Sequence, residues 1–172
     1  MPNRIIDTVE WCPALDSCIL AVANEDQVHL IGPELYRKDI NKRTKEIFTD
    51  AAKIYKIEAT ASDKKEKLCK WKFDNEPLSK QDTEADKEDA EPKKFDHAHA
   101  LTSICFTTII SRLSWHAKGD YLATMAHNVQ ATSQVLIHSV SKATSQKPFS
   151  TTNGIIQCVS FHPTKPHFFA AT

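Results

Sequence analysis

The histidines and cysteines of this 172-residue chain are its most reactive side chains, and two of them have a spacing with chemical meaning. His97-Ala-His99 places two imidazoles on one face of an extended strand, a spacing used by metal hydrolases, with His116 or His162 as conceivable further ligands. The pair borders a charged stretch, and no acidic residue has a spacing that identifies it as a third ligand. Surface histidines are therefore the favoured reading, and a metal-dependent hydrolase using His97 and His99 stands only as an alternative. There is no Gly-x-x-x-x-Gly-Lys phosphate cradle, no Gly-x-Ser-x-Gly elbow and no His-Glu-x-x-His. Asp120, directly after Gly119, reads as a turn residue and not as an acid catalyst. The expectation is no catalytic residue, no metal, no cofactor and no small-molecule substrate.

The second chemistry to weigh is phosphate recognition. Arg37, Lys38, Lys42, Arg43 and Lys45 form the densest basic run, and contacts to a nucleic-acid backbone require only such charges at a surface. The run lacks interleaved aromatic residues for base stacking, so a solvated helix face competes with an RNA or partner surface. Around it, Ile40, Ile47, Phe48, Ala51, Ala52 and Tyr55 recur at roughly helical spacing, a weak amphipathic signal from Arg37 to Tyr55.

The elements that must position these groups are strands. Ile110-Ser-Arg-Leu-Ser-Trp115-His-Ala-Lys-Gly-Asp-Tyr-Leu-Ala-Thr124 and Ile156-Gln-Cys-Val-Ser-Phe161-His-Pro-Thr-Lys-Pro-His-Phe-Phe-Ala170 follow one pattern, with anchors Trp115 and Phe161 46 positions apart. That interval is close to the roughly 40–45 residues of a four-stranded propeller blade. A third copy opens the chain as Asp7-Thr-Val-Glu-Trp11-Cys-Pro and continues as Ile19-Leu-Ala-Val-Ala23. In each copy an apolar residue lies two places before the aromatic: Val9, Leu113 and Val159. With a period of two, each pair shares a face while Glu10, Ser114 and Ser160 point to the other. A turn follows, then a denser apolar run that reads as an inner strand covered on both faces, and then Gln27-Val-His-Leu-Ile31 or Gln134-Val-Leu-Ile-His138. His116 and His162 follow their aromatics at equivalent places, which implies a structural role at the strand-to-turn junction.

Trp11 and Trp115 lie 104 positions apart, so an insertion separates the first two copies. From Ser62 to Lys94 more than half of the residues are charged, too polar a stretch to offset the entropy of ordering it. The expectation there is a disordered loop. Within it Leu68-Cys-Lys-Trp-Lys-Phe73 alternates apolar and basic residues, consistent with a short docked strand, with Trp71 hooked into a groove, or equally with a solvated loop that carries one sticky aromatic. Leu101-Thr-Ser-Ile-Cys-Phe106 resumes strand character as the outer strand of the preceding blade. The division is thus 1–36 first-blade strands, 37–100 inserted helix and loop, 101–148 outer strand and second blade, and 149–172 the start of a third.

Lysine plus arginine equal aspartate plus glutamate at 22 each, so no overall field draws the chain to nucleic acid or anionic membrane. No stretch approaches the roughly 20 apolar residues of a membrane span, and Met1-Pro-Asn-Arg lacks the apolar core of a signal peptide. The five cysteines form no Cys-x-x-Cys pair and are odd in number, which favours reduced thiols in the cytosol or nucleus.

Trp115-His-Ala-Lys-Gly-Asp-Tyr-Leu-Ala, Gln134-Val-Leu-Ile-His-Ser-Val-Ser-Lys142, Gly154-Ile-Ile-Gln-Cys-Val-Ser-Phe-His-Pro163 and Pro166-His-Phe-Phe together resemble the propeller of the Block-of-Proliferation (Bop/Erb) ribosome-biogenesis proteins. Val9-Glu-Trp11-Cys-Pro with Leu30-Ile-Gly-Pro-Glu-Leu35 looks like the first blade of the same propeller. The resemblance covers most of residues 5–35 and 101–172. It implies a non-enzymatic scaffold for the large (60S) ribosomal subunit, required for maturing the large-subunit and 5.8S rRNA precursors. Its implied partners are pescadillo, a second WD-repeat protein, pre-ribosomal RNA and pre-60S particles. Its implied location is the nucleus, in nucleolus and nucleoplasm. In that family the pescadillo contacts lie in a long amino-terminal region, none of it recognisable here, so they belong to a full-length parent. A generic WD-repeat interaction adaptor is the alternative within the binding class.

The Trp-Asp dipeptide of the repeats is missing: Leu30-Ile31 and Ile137-His138 stand in its place. The fold class expected is all-β, an incomplete WD-repeat β-propeller of about two blades plus the start of a third, with a long charged insertion. Fewer than three blades cannot close a propeller, which leaves unpaired strand edges. The chain is therefore expected to be a fragment or truncated product whose function belongs to a longer parent.

Overall fold

The computed structural model describes residues 6–33, 38–61, 69–73, 100–126, 134–151 and 153–172. In chain order the elements are β1 (Thr8–Trp11), β2 (Leu20–Asn24), β3 (Gln27–Gly32), α1 (Lys38–Ala61), β4 (Lys70–Phe73), β5 (Ala100–Cys105), β6 (Ile110–Trp115), β7 (Tyr121–Ala126), β8 (Val135–Ser139), β9 (Thr144–Gln146), β10 (Cys158–Phe161) and β11 (Phe168–Ala171). The described strands form three antiparallel sheets, in the orders β1-β2-β3-β5-β4, β6-β7-β8-β9 and β10-β11. The architecture is all-β with a single helix among the described residues, and the sheets do not close on one another. Most of the charged stretch expected to be disordered, and both His97 and His99, lie outside the described residues.

The three aromatic anchors occupy one register. Trp11 stands opposite Leu20, Trp115 opposite Leu122, and Phe161 opposite Phe168. In every case the next residue closes the hairpin with its backbone N–H: Cys12 to the Ile19 carbonyl, His116 to Tyr121, and His162 to His167, at 2.8 Å each. The junction histidines add a second bond. The His116 Nδ1 accepts from the Lys118 amide at 3.3 Å, and the His162 Nδ1 accepts from the amides of Thr164 at 3.1 Å and Lys165 at 3.0 Å. Both rings thus satisfy turn N–H groups that the strand ladder leaves without partners.

Strand alternation also explains how the sheets stack. Leu113 and Trp115 of β6 face the first sheet, where the Trp115 indole N–H donates to the Glu10 carbonyl at 3.2 Å. Ser114, between them, faces the third sheet, where its hydroxyl accepts from the Phe161 amide at 3.0 Å. On β7, Leu122 and Ala126 join the core shared with the first sheet, whereas Met125 packs with Val135, Ile156 and Val159 toward the third. A strand flanked on both faces has no polar face, and Leu122 to Ala126 is accordingly buried throughout. β11 differs from the covered strand expected of it: Phe169 is 56% exposed, because nothing among the described residues packs against its outer face.

The helix lies on the first sheet, against β3 and β5. Thr44, Ile47, Phe48 and Ala51 recur at i, i+3, i+4 and i+7 and form its inner stripe, with Phe48 only 2% exposed. Thr44 Oγ1 accepts the Cys18 amide at 2.9 Å, tying the helix to the β1–β2 loop. Of the readings open for the Leu68–Phe73 stretch, the docked strand is the observed one, over Lys70–Phe73. β4 pairs with β5, its lysines Lys70 and Lys72 exposed and Trp71 buried. β5 itself pairs with β3, beside the strands of the first repeat, but β4 and not β5 is the edge strand of that sheet.

Candidate interaction surfaces

Among the described residues no group of three His, Cys, Asp or Glu side chains is placed to hold a metal ion. Asp120 is held in a turn: one carboxylate oxygen accepts the Ser139 hydroxyl at 3.3 Å and the other the Ser141 amide at 3.1 Å. Burial raises the thiol pKa of Cys12, Cys18 and Cys69, which keeps them as neutral thiols and poor nucleophiles. All five cysteines are free. No described helix is long and apolar enough to cross a membrane.

The first candidate surface is the outer face of α1. Lys42, Arg43 and Lys45 are all exposed there, on the side away from the sheet. Lys38 begins the helix, while Arg37 lies outside the described residues. Arg43 pairs with Glu46 at 3.7 Å and Lys53 with Asp50 at 3.5 Å, both i,i+3 pairs open to solvent. Such pairs contribute well under about 1 kcal/mol each and leave the cations free to exchange partners. The sequence run therefore becomes a patch dominated by Lys42 and Lys45, interrupted by carboxylates.

The second surface is a cleft of about 580 Å³ between the first strands of the three sheets. Its walls carry Glu10 and Trp11 from β1, Arg112 and Trp115 from β6, and Phe161 and Pro163 from the β10 end. Trp11 is 55% exposed although its counterpart Trp115 is buried, because no described element lies on the outer side of β1. Acidic, basic and aromatic residues together make a lining suited to a polypeptide or another mixed polar and apolar surface. Sequence reasoning marked Trp11, Trp115 and Phe161 as structural anchors and did not foresee that the same strands bound a cleft.

A buried polar network, also unforeseen, links the first two sheets. His138 is fully buried on β8, at the second place of the pair Ile137-His138 that stands where the repeat's Trp-Asp would fall. Its Nε2 lies 2.9 Å from Thr124 Oγ1 and its Nδ1 2.8 Å from Ser145 Oγ. The same Ser145 oxygen accepts the indole N–H of Trp71 and the thiol of Cys69, both at 3.0 Å. Burial lowers the His138 pKa to about 3, so the ring is neutral. The legible signal was the alternation around Trp71; nothing in the spacing pointed to Ser145.

No known family profile matches the chain. Individual relatives do. Over 164 residues, 95% of the chain, it is 32% identical to a protein of Danio rerio named ribosome biogenesis protein bop1. It is 34% identical over 170 residues to the ribosome biogenesis protein BOP1 homolog of Drosophila grimshawi, and 34% over 168 residues to that of Culex quinquefasciatus. The chain spans less than a fifth of these relatives' own length, 18%, 19% and 17% respectively.

Proposed function

Since the chain belongs to the Bop1 ribosome biogenesis family, we propose that it is a recognition segment of a non-enzymatic scaffold in ribosome assembly. The observation that carries this reading is the similarity to Bop1 proteins along nearly the whole chain, helix and insertion included. The fold is in keeping with it. Three hairpins with one register, stacked through alternate residues of β6, are what successive blades of a WD-repeat propeller require. On this proposal residues 1–36 and 101–106 build one blade, the remainder of 101–148 a second, and 149–172 begin a third.

The finer reading follows the family resemblance. The parent protein acts in maturing the large (60S) subunit and its large-subunit and 5.8S rRNA precursors. It does so with pescadillo and a second WD-repeat protein, in the nucleolus and nucleoplasm. Within this chain the exposed Lys42, Arg43 and Lys45, with Arg37 and Lys38 beside them in sequence, form the surface offered to pre-ribosomal RNA. Phosphate contacts of this kind release counterions, so affinity falls as salt rises.

Two measurements test the reading. A tagged full-length protein carrying this segment is expected to co-sediment with pre-60S particles and to co-purify pescadillo; its absence from both would overturn the assembly role. Titration of the chain with a large-subunit precursor RNA at several salt concentrations tests the helix face. Replacing Lys42 and Lys45 by glutamine should shallow the log–log salt slope by roughly one to two. An unchanged slope removes these residues from the RNA surface and leaves them a solvated helix face.

A further inference from the structure

The four-stranded sheet β6-β7-β8-β9 has its counterpart in β1-β2-β3-β5, and β4 is a fifth strand laid on the outer edge of the latter. β4 is four residues long and its ladder runs only to β5. It comes from the insertion, joined to α1 and β5 through residues 62–69 and 74–99. Its remaining contacts are those of a bound peptide. Trp71 is 4% exposed, its ring stacked on Phe73 at 6.2 Å and edge-on to His138 at 6.1 Å. Its indole N–H is satisfied by a hydroxyl of the neighbouring sheet, Ser145. Lys70 and Lys72 alternate outward into solvent.

We propose that the trough between the β5 edge and β9 is a peptide-docking groove that the chain fills with its own residues 69–73. An extended segment of a protein partner with the same chemistry, a tryptophan and a second aromatic two residues on, flanked by lysines, docks there by displacing β4. Strand addition supplies main-chain hydrogen bonds, and a pocket for alternate side chains supplies selectivity. The selective groups are the Ser145 hydroxyl, which needs an indole N–H that phenylalanine lacks, and the uncharged His138 edge, which tolerates an aromatic ring. Because the cis segment is covalently tethered, its effective concentration is on the order of millimolar, and a displacing ligand must overcome that competition.

The probe is a fluorescein-labelled peptide of residues 66–76, carrying Cys69→Ser to prevent oxidation, titrated against the whole chain by anisotropy. Saturable binding to Trp71→Ala, at least tenfold tighter than to the unsubstituted chain, is expected. Replacing tryptophan by alanine in the peptide should abolish binding, and adding Ser145→Ala to the protein should weaken it about fivefold. Folded Trp71→Ala chain that shows no saturable binding overturns the proposal. Hydrogen exchange on the unsubstituted chain decides it independently of whether that variant folds. Amides of the β4–β5 ladder should exchange at least a hundredfold faster than those of the β3–β5 ladder, since β4 detaches alone. Equal protection of the two ladders would show that β4 is an integral strand and the groove never opens.

Discussion

The indole N–H of Trp71 donates to the hydroxyl of Ser145 at 3.0 Å, joining the edge strand of one sheet to the edge strand of the next. Ser145 also receives the Cys69 thiol, so both lone pairs of its oxygen are taken and its own proton must go to His138 Nδ1. That assignment leaves His138 with its proton on Nε2, where it donates to Thr124 Oγ1. A single hydroxyl thereby sets the tautomer of a buried ring and the seating of the inserted strand.

Ser145→Ala removes the hub and strands three partners at once. A buried polar group left without its bond costs about 1–3 kcal/mol, and the neutral ring and indole share one vacancy, so a loss of about 2–3 kcal/mol is expected. Urea unfolding measures it. Ser150→Ala, at an exposed position, should stay within about 0.5 kcal/mol. Equal midpoints for the two variants would exclude the hub role.

The same network makes stability depend on pH. The folded His138 pKa of about 3 lies below the value near 6.5 of an unfolded histidine, so the unfolded chain takes up a proton that the folded chain refuses. The stabilisation is therefore complete above about pH 6.5 and is lost as pH falls toward 3, by at most about 1.4 kcal/mol per unit. Denaturant midpoints at pH 7 and pH 5 should differ more in the parent chain than in His138→Gln. A His138→Gln chain with the same pH dependence would mean that other groups control it.

Much of this architecture was legible because period-two alternation is a local signal. Leu113, Ser114 and Trp115 announce in sequence the two faces that the structure assigns to two different sheets. The α1 stripe was legible for the same reason at period 3.6, although the helix extends to Ala61, beyond the apolar spacing that announced it. The hub at Ser145 was not legible. Its partners Cys69 and Trp71 lie 76 and 74 residues away, and their meeting depends on strand order, which no local pattern encodes. The cleft was hidden similarly: Glu10, Arg112 and Phe161 come together only because three first strands stack. The exposure of Trp11 and β11 reflects tertiary surroundings that override an unchanged strand pattern.

Two-sided use of β6 predicts separable effects. Trp115→Phe keeps the ring volume nearly intact and removes the bond to the Glu10 carbonyl, at a cost of about 1 kcal/mol. Ser114→Ala removes the bond to the Phe161 amide at a similar cost. Hydrogen exchange should locate the first loss at the β1–β2 hairpin and the second at β10–β11. Both variants loosening the same hairpin would contradict the assignment of faces.

Gly119 supplies the sharpest steric test. Its φ of +74° is a left-handed conformation that a side chain disfavours by about 1 kcal/mol. A Cβ there would also stand 2.5 Å from Cys12 Sγ and 2.6 Å from Ala14 Cβ, across the junction of the first two sheets. Gly154, with φ +96°, has its nearest neighbour, Thr172 Cβ, at 3.5 Å, an ordinary contact. Gly154→Ala should therefore cost only the backbone term, about 1 kcal/mol, whereas Gly119→Ala adds overpacking of about 1–3 kcal/mol and pushes the β6–β7 turn off the β1–β2 loop. The relevant comparison is the difference between the two urea midpoints. Cys12→Ala in the Gly119→Ala background removes the sulfur but leaves the Ala14 clash, so it should restore part of the loss. No recovery would mean that the contact with Ala14 alone sets the spacing of the two sheets.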